Sequence, residues 1–193
     1  MMRIITGSAK GRKLETLEGE ATRPTSERIK GAIFSSIQFE CEGRRVLDLF
    51  AGSGQMGLEA LSRGAERATF IDSSREAMEI VKKNAMSTKL YEACHFLVSD
   101  AKNYLRKASG KERYDLVFVD PPYALECCVD MADALATYGV IIPGALVVLE
   151  SGEEKIEAAD SRLRGFEVIK SQSYGKKTAV NILFYRGREE EAK

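Results

Sequence analysis

Asp48-Leu49-Phe50-Ala51-Gly52-Ser53-Gly54-Gln55-Met56-Gly57, DLFAGSGQMG, sets three glycines in the spacing G-x-G-x-x-G directly behind an apolar run. Glycines so spaced serve a tight turn from a strand into a helix, where backbone approaches a nucleotide cofactor closely. Asp72, about twenty residues past the first glycine, is placed to meet a ribose. Outward from this stretch the chain keeps one rhythm. The runs RVLDLF, ATFID, CHFLV, YDLVFVD and ALVVLES are short and separated by segments of helical length, which predicts an α/β domain with a parallel sheet covered by helices. Apolar spacing predicts helices over Met56–Arg63, Arg75–Ser87, Ala101–Lys107 and Leu125–Tyr138. Phe166–Tyr174 and Thr178–Tyr185, joined by Gly175-Lys176-Lys177, read as a hairpin, so the sheet is expected to have seven strands and to close with an antiparallel one.

The first forty-odd residues stand apart from this rhythm. Arg3–Ile5 against Lys13–Thr16 predicts a small hairpin turning through Gly7 to Gly11, and Pro24-Thr25 opens a helix with Ile29, Ile33 and Ile37 on one face. Composition narrows function by exclusion. In a chain of 193 residues, 30% charged and 44% hydrophobic, no apolar run reaches the roughly 18 residues of a spanning helix. The N-terminus lacks the apolar core of a secretory signal, so a cytoplasmic protein without membrane attachment is expected. Cys41, Cys94, Cys127 and Cys128 show no C-x-x-C spacing and read as buried thiols. His95, the single histidine, opens an apolar run and reads as structural, so no metal is expected. The formal net charge of +0 requires any polyanionic partner to meet a local basic patch. The phosphate-binding pattern G-x-x-x-x-G-K-[ST] is absent, since Gly175-Lys176 is followed by Lys177.

Charge separates the cofactors that fit such a glycine turn. Asp48 sits four residues ahead of Gly52, at the end of the strand. A carboxylate there repels the pyrophosphate of NAD and suits a ligand that carries an ammonium and a sulfonium but no phosphate, S-adenosylmethionine. Asp48, Gly52 and Gly54 then line the crevice, and Asp72 accepts hydrogen bonds from both ribose hydroxyls. The plainer role for the glycines is a turn that tightens a strand–helix junction. Ser99-Asp100-Ala101 ends the third strand; Asp100 either reaches the adenine edge or caps the next helix, and the residue types leave both open.

Asp120-Pro121-Pro122-Tyr123 follows the fourth run. Its two prolines fix φ and remove two N–H donors, so the turn offers only acceptors, the Asp120 carboxylate and backbone carbonyls. An exocyclic base amine needs such a site. Its lone pair is delocalised into the ring, and acceptors that hold both N–H bonds help it pyramidalise toward a methyl carbon. Tyr123 is placed to stack on the base. A rigid turn with a tyrosine packed on it is the plainer alternative.

These residues resemble a known family. DPPY behind a glycine-loop strand is similar to amino-directed S-adenosylmethionine methyltransferases in general. Through RIITGSAKGRKL, RPTSERIKGAIF, DLFAGSGQMGLEALSRGA and YGKKTAVNILFY, the chain resembles the bacterial 16S rRNA guanine-N2 methyltransferase (RsmD-like) family over nearly its full length. The resemblance implies a seven-stranded Rossmann-like class I methyltransferase sheet: residues 1–40 as an RNA-binding extension and cofactor-covering helix, 41–187 as the methyltransferase domain, and 188–193 as a frayed tail. It implies S-adenosylmethionine as cofactor, with Asp48, Gly52 and Gly54 at its methionine end, Asp72 on the ribose and Asp100 near the adenine. Thr25 and Arg28 begin the helix that lies over it. Asp120, Pro121 and Tyr123 would hold the guanine as catalytic residues. Arg3, Lys10, Arg12, Lys13 and Arg23 would form the basic patch for the partner, 16S rRNA or a partly assembled small ribosomal subunit, with the enzyme a monomer. An N-cap for Thr25 and solvated charge for Arg28 and for each basic residue are the plainer readings. For the whole chain, the other readings are a DNA amino-methyltransferase acting on adenine N6 or cytosine N4, a non-catalytic cofactor-binding subunit or RNA chaperone, and an NAD dehydrogenase.

Overall fold

The apolar runs become strands in the computed structural model, which describes residues 2–16, 24–122, 125–152, 156–157, 159–175 and 178–188. Among these residues the strands are β1 (Arg45–Asp48), β2 (Arg67–Asp72), β3 (Cys94–Val98), β4 (Tyr114–Val119), β5 (Ile141–Ser151), β6 (Phe166–Ser173) and β7 (Ala179–Tyr185). They form one seven-stranded sheet in the order β3-β2-β1-β4-β5-β7-β6. The helices are α1 (Pro24–Ser36), α2 (Gln55–Ser62), α3 (Arg75–Thr88), α4 (Ala101–Ala108) and α5 (Cys128–Thr137). Contacts divide the chain into two compact units, Met1–Ala101 and Lys102–Lys193, so the N-terminal segment belongs to the same unit as the glycine stretch.

In the first unit β1, β2 and β3 run parallel, with Asp48 opposite Phe70 and Asp72 opposite Val98. That register brings the carboxyl ends of the strands to one side, where a parallel sheet binds ligands. Val46, Leu47, Phe70 and Ile71 are buried, and Phe70 stacks on Phe96 at 5.8 Å. The α1 stripe is as the spacing predicts. Ile29, Ile33, Phe34 and Ile37 are buried, and each such side chain stabilises the fold by about 1.5–3 kcal/mol relative to exposure. β3 is different. The order puts it at a sheet edge, and His95, Leu97 and Val98 are exposed on it.

The small hairpin expected at the N-terminus is present: Arg3 bridges Lys13 antiparallel, with the Ile4 N–H on the Arg12 carbonyl and the Leu14 N–H on the Met2 carbonyl, both at 2.9 Å, and the Gly11 N–H on the Ile4 carbonyl at 2.8 Å. The donors of its turn go to α2. The N–H groups of Ile5 and Thr6 reach the Glu59 carboxylate of α2 at 2.7 and 3.0 Å, and those of Ser8 and Ala9 reach the Ser62 carbonyl and hydroxyl at 2.8 and 3.0 Å. Gly7 makes this approach possible, since a Cβ there would lie 1.7 Å from the Ser62 carbonyl oxygen.

In the second unit β4 and β5 are parallel, and β7 pairs antiparallel with both β5 and β6. The β6–β7 hairpin closes with the Tyr174 N–H on the Thr178 carbonyl at 2.7 Å. α5 starts at Cys128, later than the apolar spacing from Leu125 predicts. Glu126 has a φ of 41°, outside the helical range, and the Leu125 N–H closes a turn on the Pro122 carbonyl at 2.9 Å. Arg188, expected to begin a frayed tail, donates to Asp133 at 2.6 Å and Thr137 at 2.8 Å; residues 189–193 lie outside the described part.

Of the thiols, Cys41 and Cys128 are buried and Cys94 and Cys127 half-buried. Burial pushes the Cys41 thiol up to about 11 and the Cys94 thiol up to about 12, so both stay protonated at neutral pH.

Candidate active site

The chain leaves β1 at Asp48 and turns through Gly52 and Gly54, whose φ values of 52° and 76° suit glycine. A Cβ on Gly54 would come within 2.8 Å of Val81 Cγ1, and one on Gly57 within 2.4 Å of Phe70 Cε1, so the second and third glycines also let α2 pack closely on its neighbours. The Asp72 carboxylate organises this turn. Its Oδ2 accepts the Gly52 N–H at 2.9 Å and its Oδ1 the Ser74 N–H at 2.8 Å, while the side chain stays half-buried. Asp48 is only 2% exposed, and its Oδ2 accepts the Gly57 N–H at 2.9 Å. It therefore satisfies an amide in the first turn of α2 and fastens that helix to β1. Asp100 is exposed and directly precedes α4, and the Ser99 N–H before it donates to the Asp72 carbonyl at 2.9 Å.

The remaining expected cofactor and RNA residues fall as follows. Thr25 is the second residue of α1, its side chain outside the described part, and Arg28 is exposed on the same helix. Lys10, Arg12 and Lys13 are exposed, with Arg12 Nη1 donating to the Ser87 carbonyl at 3.0 Å. Arg3 is exposed but paired with Glu27 at 2.7 Å, which cancels its charge locally. Arg23 lies outside the described residues.

In the second unit Asp120 is half-buried just past β4, with Pro121 buried and Pro122 exposed behind it. Pro121, Pro122, Glu126, Cys128, Glu150, Ser151 and Gly152 line a shallow depression beside this turn. Tyr123 lies outside the described residues.

Sequence reasoning missed a buried ionic cluster. Glu59 is fully buried and takes, besides the Ile5 and Thr6 amides, the Arg63 Nε at 2.9 Å and the Lys30 Nζ at 3.5 Å. Lys30, 1% exposed, also donates to the Arg3 carbonyl at 2.6 Å. Burial pushes the Lys30 ammonium below its ordinary range, and Glu59 opposes that shift. Lys30 thus adds nothing to a surface patch. No local signal announced it: only in the fold is α2 buried from Met56 to Ser62, so that its polar residues find partners inside.

A family model described as "Conserved hypothetical protein 95" matches residues 2–184. The chain is 35% identical to ribosomal RNA small subunit methyltransferase D of Escherichia coli (strain K12), covering 79% of this chain and 76% of that protein. It is 32% identical to the Haemophilus influenzae protein of the same name, covering 80% of each. The chain belongs to this methyltransferase family. The solved structure of yhhF from Escherichia coli matches with a TM-score of 0.81 at 29% identity, over 97% of this chain and 99% of that one. Members of this family are S-adenosylmethionine-dependent enzymes, and the residues present fit that cofactor. Gln55 Oε1, at the first position of α2, is buried without a hydrogen-bond partner, an acceptor suited to an ammonium. Asp72 keeps lone pairs for a ribose diol after serving Gly52 and Ser74. Among the described residues no group of His, Cys, Asp and Glu is arranged to hold a metal ion, and no helix is long and apolar enough to cross a membrane.

Proposed function

We propose that this methyltransferase modifies the exocyclic N2 amine of a guanine in 16S rRNA, presented as structured RNA or in a partly assembled small subunit. The observation that carries this reading is the acceptor-only turn Asp120-Pro121-Pro122 at the end of β4. When bound, S-adenosylmethionine supplies an electrophilic methyl group on a sulfonium. Gln55 and Asp72 hold its amino-acid and ribose parts. Asp120 accepts an N–H of the target amine and turns the nitrogen lone pair toward the methyl carbon. Transfer would form the N–C bond as the cofactor's C–S bond broke, and Asp120 or water would take the proton that the amine sheds late. The N2 group of a paired guanine faces the minor groove, so the base comes from a loop or is flipped, and Tyr123 stacks on it.

The exposed Lys10, Arg12 and Lys13 supply the local positive charge that RNA phosphates require in a neutral chain. The enzyme acts as a monomer, and a ribosomal substrate places it in the cytoplasm. Methyl transfer from labelled cofactor to small-subunit RNA of an enzyme-deficient strain, followed by nucleoside analysis, tests the assignment. N2-methylguanosine is expected, and N6-methyladenosine would overturn it. Reversing charge with Arg12→Glu and Lys13→Glu is expected to weaken RNA binding by about tenfold at moderate salt and flatten its salt dependence, while leaving cofactor affinity unchanged.

A further inference from the structure

Asn84, in the third turn of α3, is 1% exposed and has all of its side-chain hydrogen-bonding groups engaged outside its own helix. Its Oδ1 accepts the Glu15 N–H at 2.8 Å, and its Nδ2 donates to the Glu15 carbonyl and to the Ser53 carbonyl, both at 2.9 Å. Glu15 belongs to the N-terminal segment, whereas Ser53 stands between Gly52 and Gly54 in the cofactor turn. Only a carboxamide satisfies these three partners, because one needs an acceptor and two need donors. An aspartate would set a carboxylate against two carbonyls, and a leucine would leave all three unpaired.

The Ser53 bond matters because of its neighbours. Glycine backbone is permissive, and flanking φ values of 52° and 76° do not by themselves fix where the Ser53 peptide points. A buried donor on α3 does.

Resting on the reading of this turn as the cofactor site, we propose that Asn84 is a positioning residue for cofactor binding. It clamps the glycine turn to the N-terminal segment, so cofactor affinity depends on that segment being docked. The consequence is specific: loosening Glu15 weakens the cofactor site only while Asn84 is there to transmit it.

The test is a double-mutant cycle on the affinity for S-adenosylhomocysteine, measured by calorimetry on the full chain. Asn84→Ala is expected to weaken binding by about tenfold, and Asn84→Asp by at least as much. Glu15→Pro, which removes the N–H that Asn84 accepts, is expected to weaken binding a few-fold in the wild-type background and not at all in the Asn84→Ala background. A purely structural asparagine would instead lower the unfolding temperature and leave the affinity of the folded protein unchanged. Additive effects of Glu15→Pro and Asn84→Ala, or wild-type affinity in folded Asn84→Asp, would overturn the inference. If Asn84→Ala fails to fold, Asn84→Asp and Glu15→Pro decide it by the same readout. No binding by the wild-type chain would overturn the cofactor reading and this inference with it, whereas normal wild-type binding with unchanged variants overturns this inference alone.

Discussion

Asp48 ends β1 and Asp120 follows β4, two aspartates at similar places on their strands in surroundings of opposite character. Asp48 is buried and its carboxylate meets a backbone N–H of α2. Asp120 is half-buried and is followed by two residues that have no N–H to give. A carboxylate that meets backbone amides is drawn into holding the fold together. One followed by prolines has no N–H on the next two residues to fasten it. The same side chain fastens a helix in the first unit and, in the proposed function, orients the target amine in the second.

The largest expected effect falls on the second. Asp120→Ala should reduce methyl transfer by several powers of ten while S-adenosylhomocysteine affinity stays within a few-fold. Near-wild-type turnover, measured with labelled cofactor, would break the contrast at its stronger end. Asp72→Ala should cost on the order of 1.5–3 kcal/mol of cofactor affinity, because two ribose hydroxyls lose their acceptor and the turn loses the Gly52 and Ser74 amide bonds. Equal calorimetric affinity in variant and wild type would remove Asp72 from the site.

Asp48→Ala should appear in stability. With the Gly57 N–H left buried and unpaired, the unfolding free energy should fall by about 1–3 kcal/mol, read from urea titrations. An unchanged midpoint alongside lost turnover would make Asp48 a reagent too, and the two aspartates would cease to differ. The smallest effect belongs to Gln55→Leu, which should weaken S-adenosylhomocysteine binding by about 0.5–1.5 kcal/mol. It should not alter binding of 5′-methylthioadenosine, which lacks the amino-acid end. A parallel loss with both ligands would show that Gln55 shapes the turn rather than contacting the ammonium.

The succession of strands and helices along the chain and the glycine turn were legible because they depend on local periodicity and on residues with restricted or permissive φ. α2 and α3 lie within a residue or so of their predicted bounds for that reason. Features set by long-range partners were not legible. Glu59 and Lys30 look like surface charges in any local window, and only the fold shows that they satisfy one another inside it. The run CHFLV has the composition of a buried strand, yet β3 is an edge with Leu97 and Val98 exposed, and nothing in five residues reveals how many neighbours a strand will have. At the N-terminal hairpin the two kinds of feature meet: its cross-strand pairing is local and was legible, whereas the Ile5 and Thr6 amides are claimed by a helix that the local pattern could not place beside them.

That claim sets a timetable for the newly made chain. The Ile5 amide finds its acceptor 54 residues later, and Glu15 finds Asn84 only 69 residues later. At a synthesis rate of about 5–20 residues per second, the first residues to leave the ribosome wait several seconds for the helices on which they dock. The earliest segment to be synthesised therefore cannot be seated before α2 and α3 have followed it, and a chain halted between the two can fasten Ile5 to Ala9 on α2 but leaves Glu15 without Asn84.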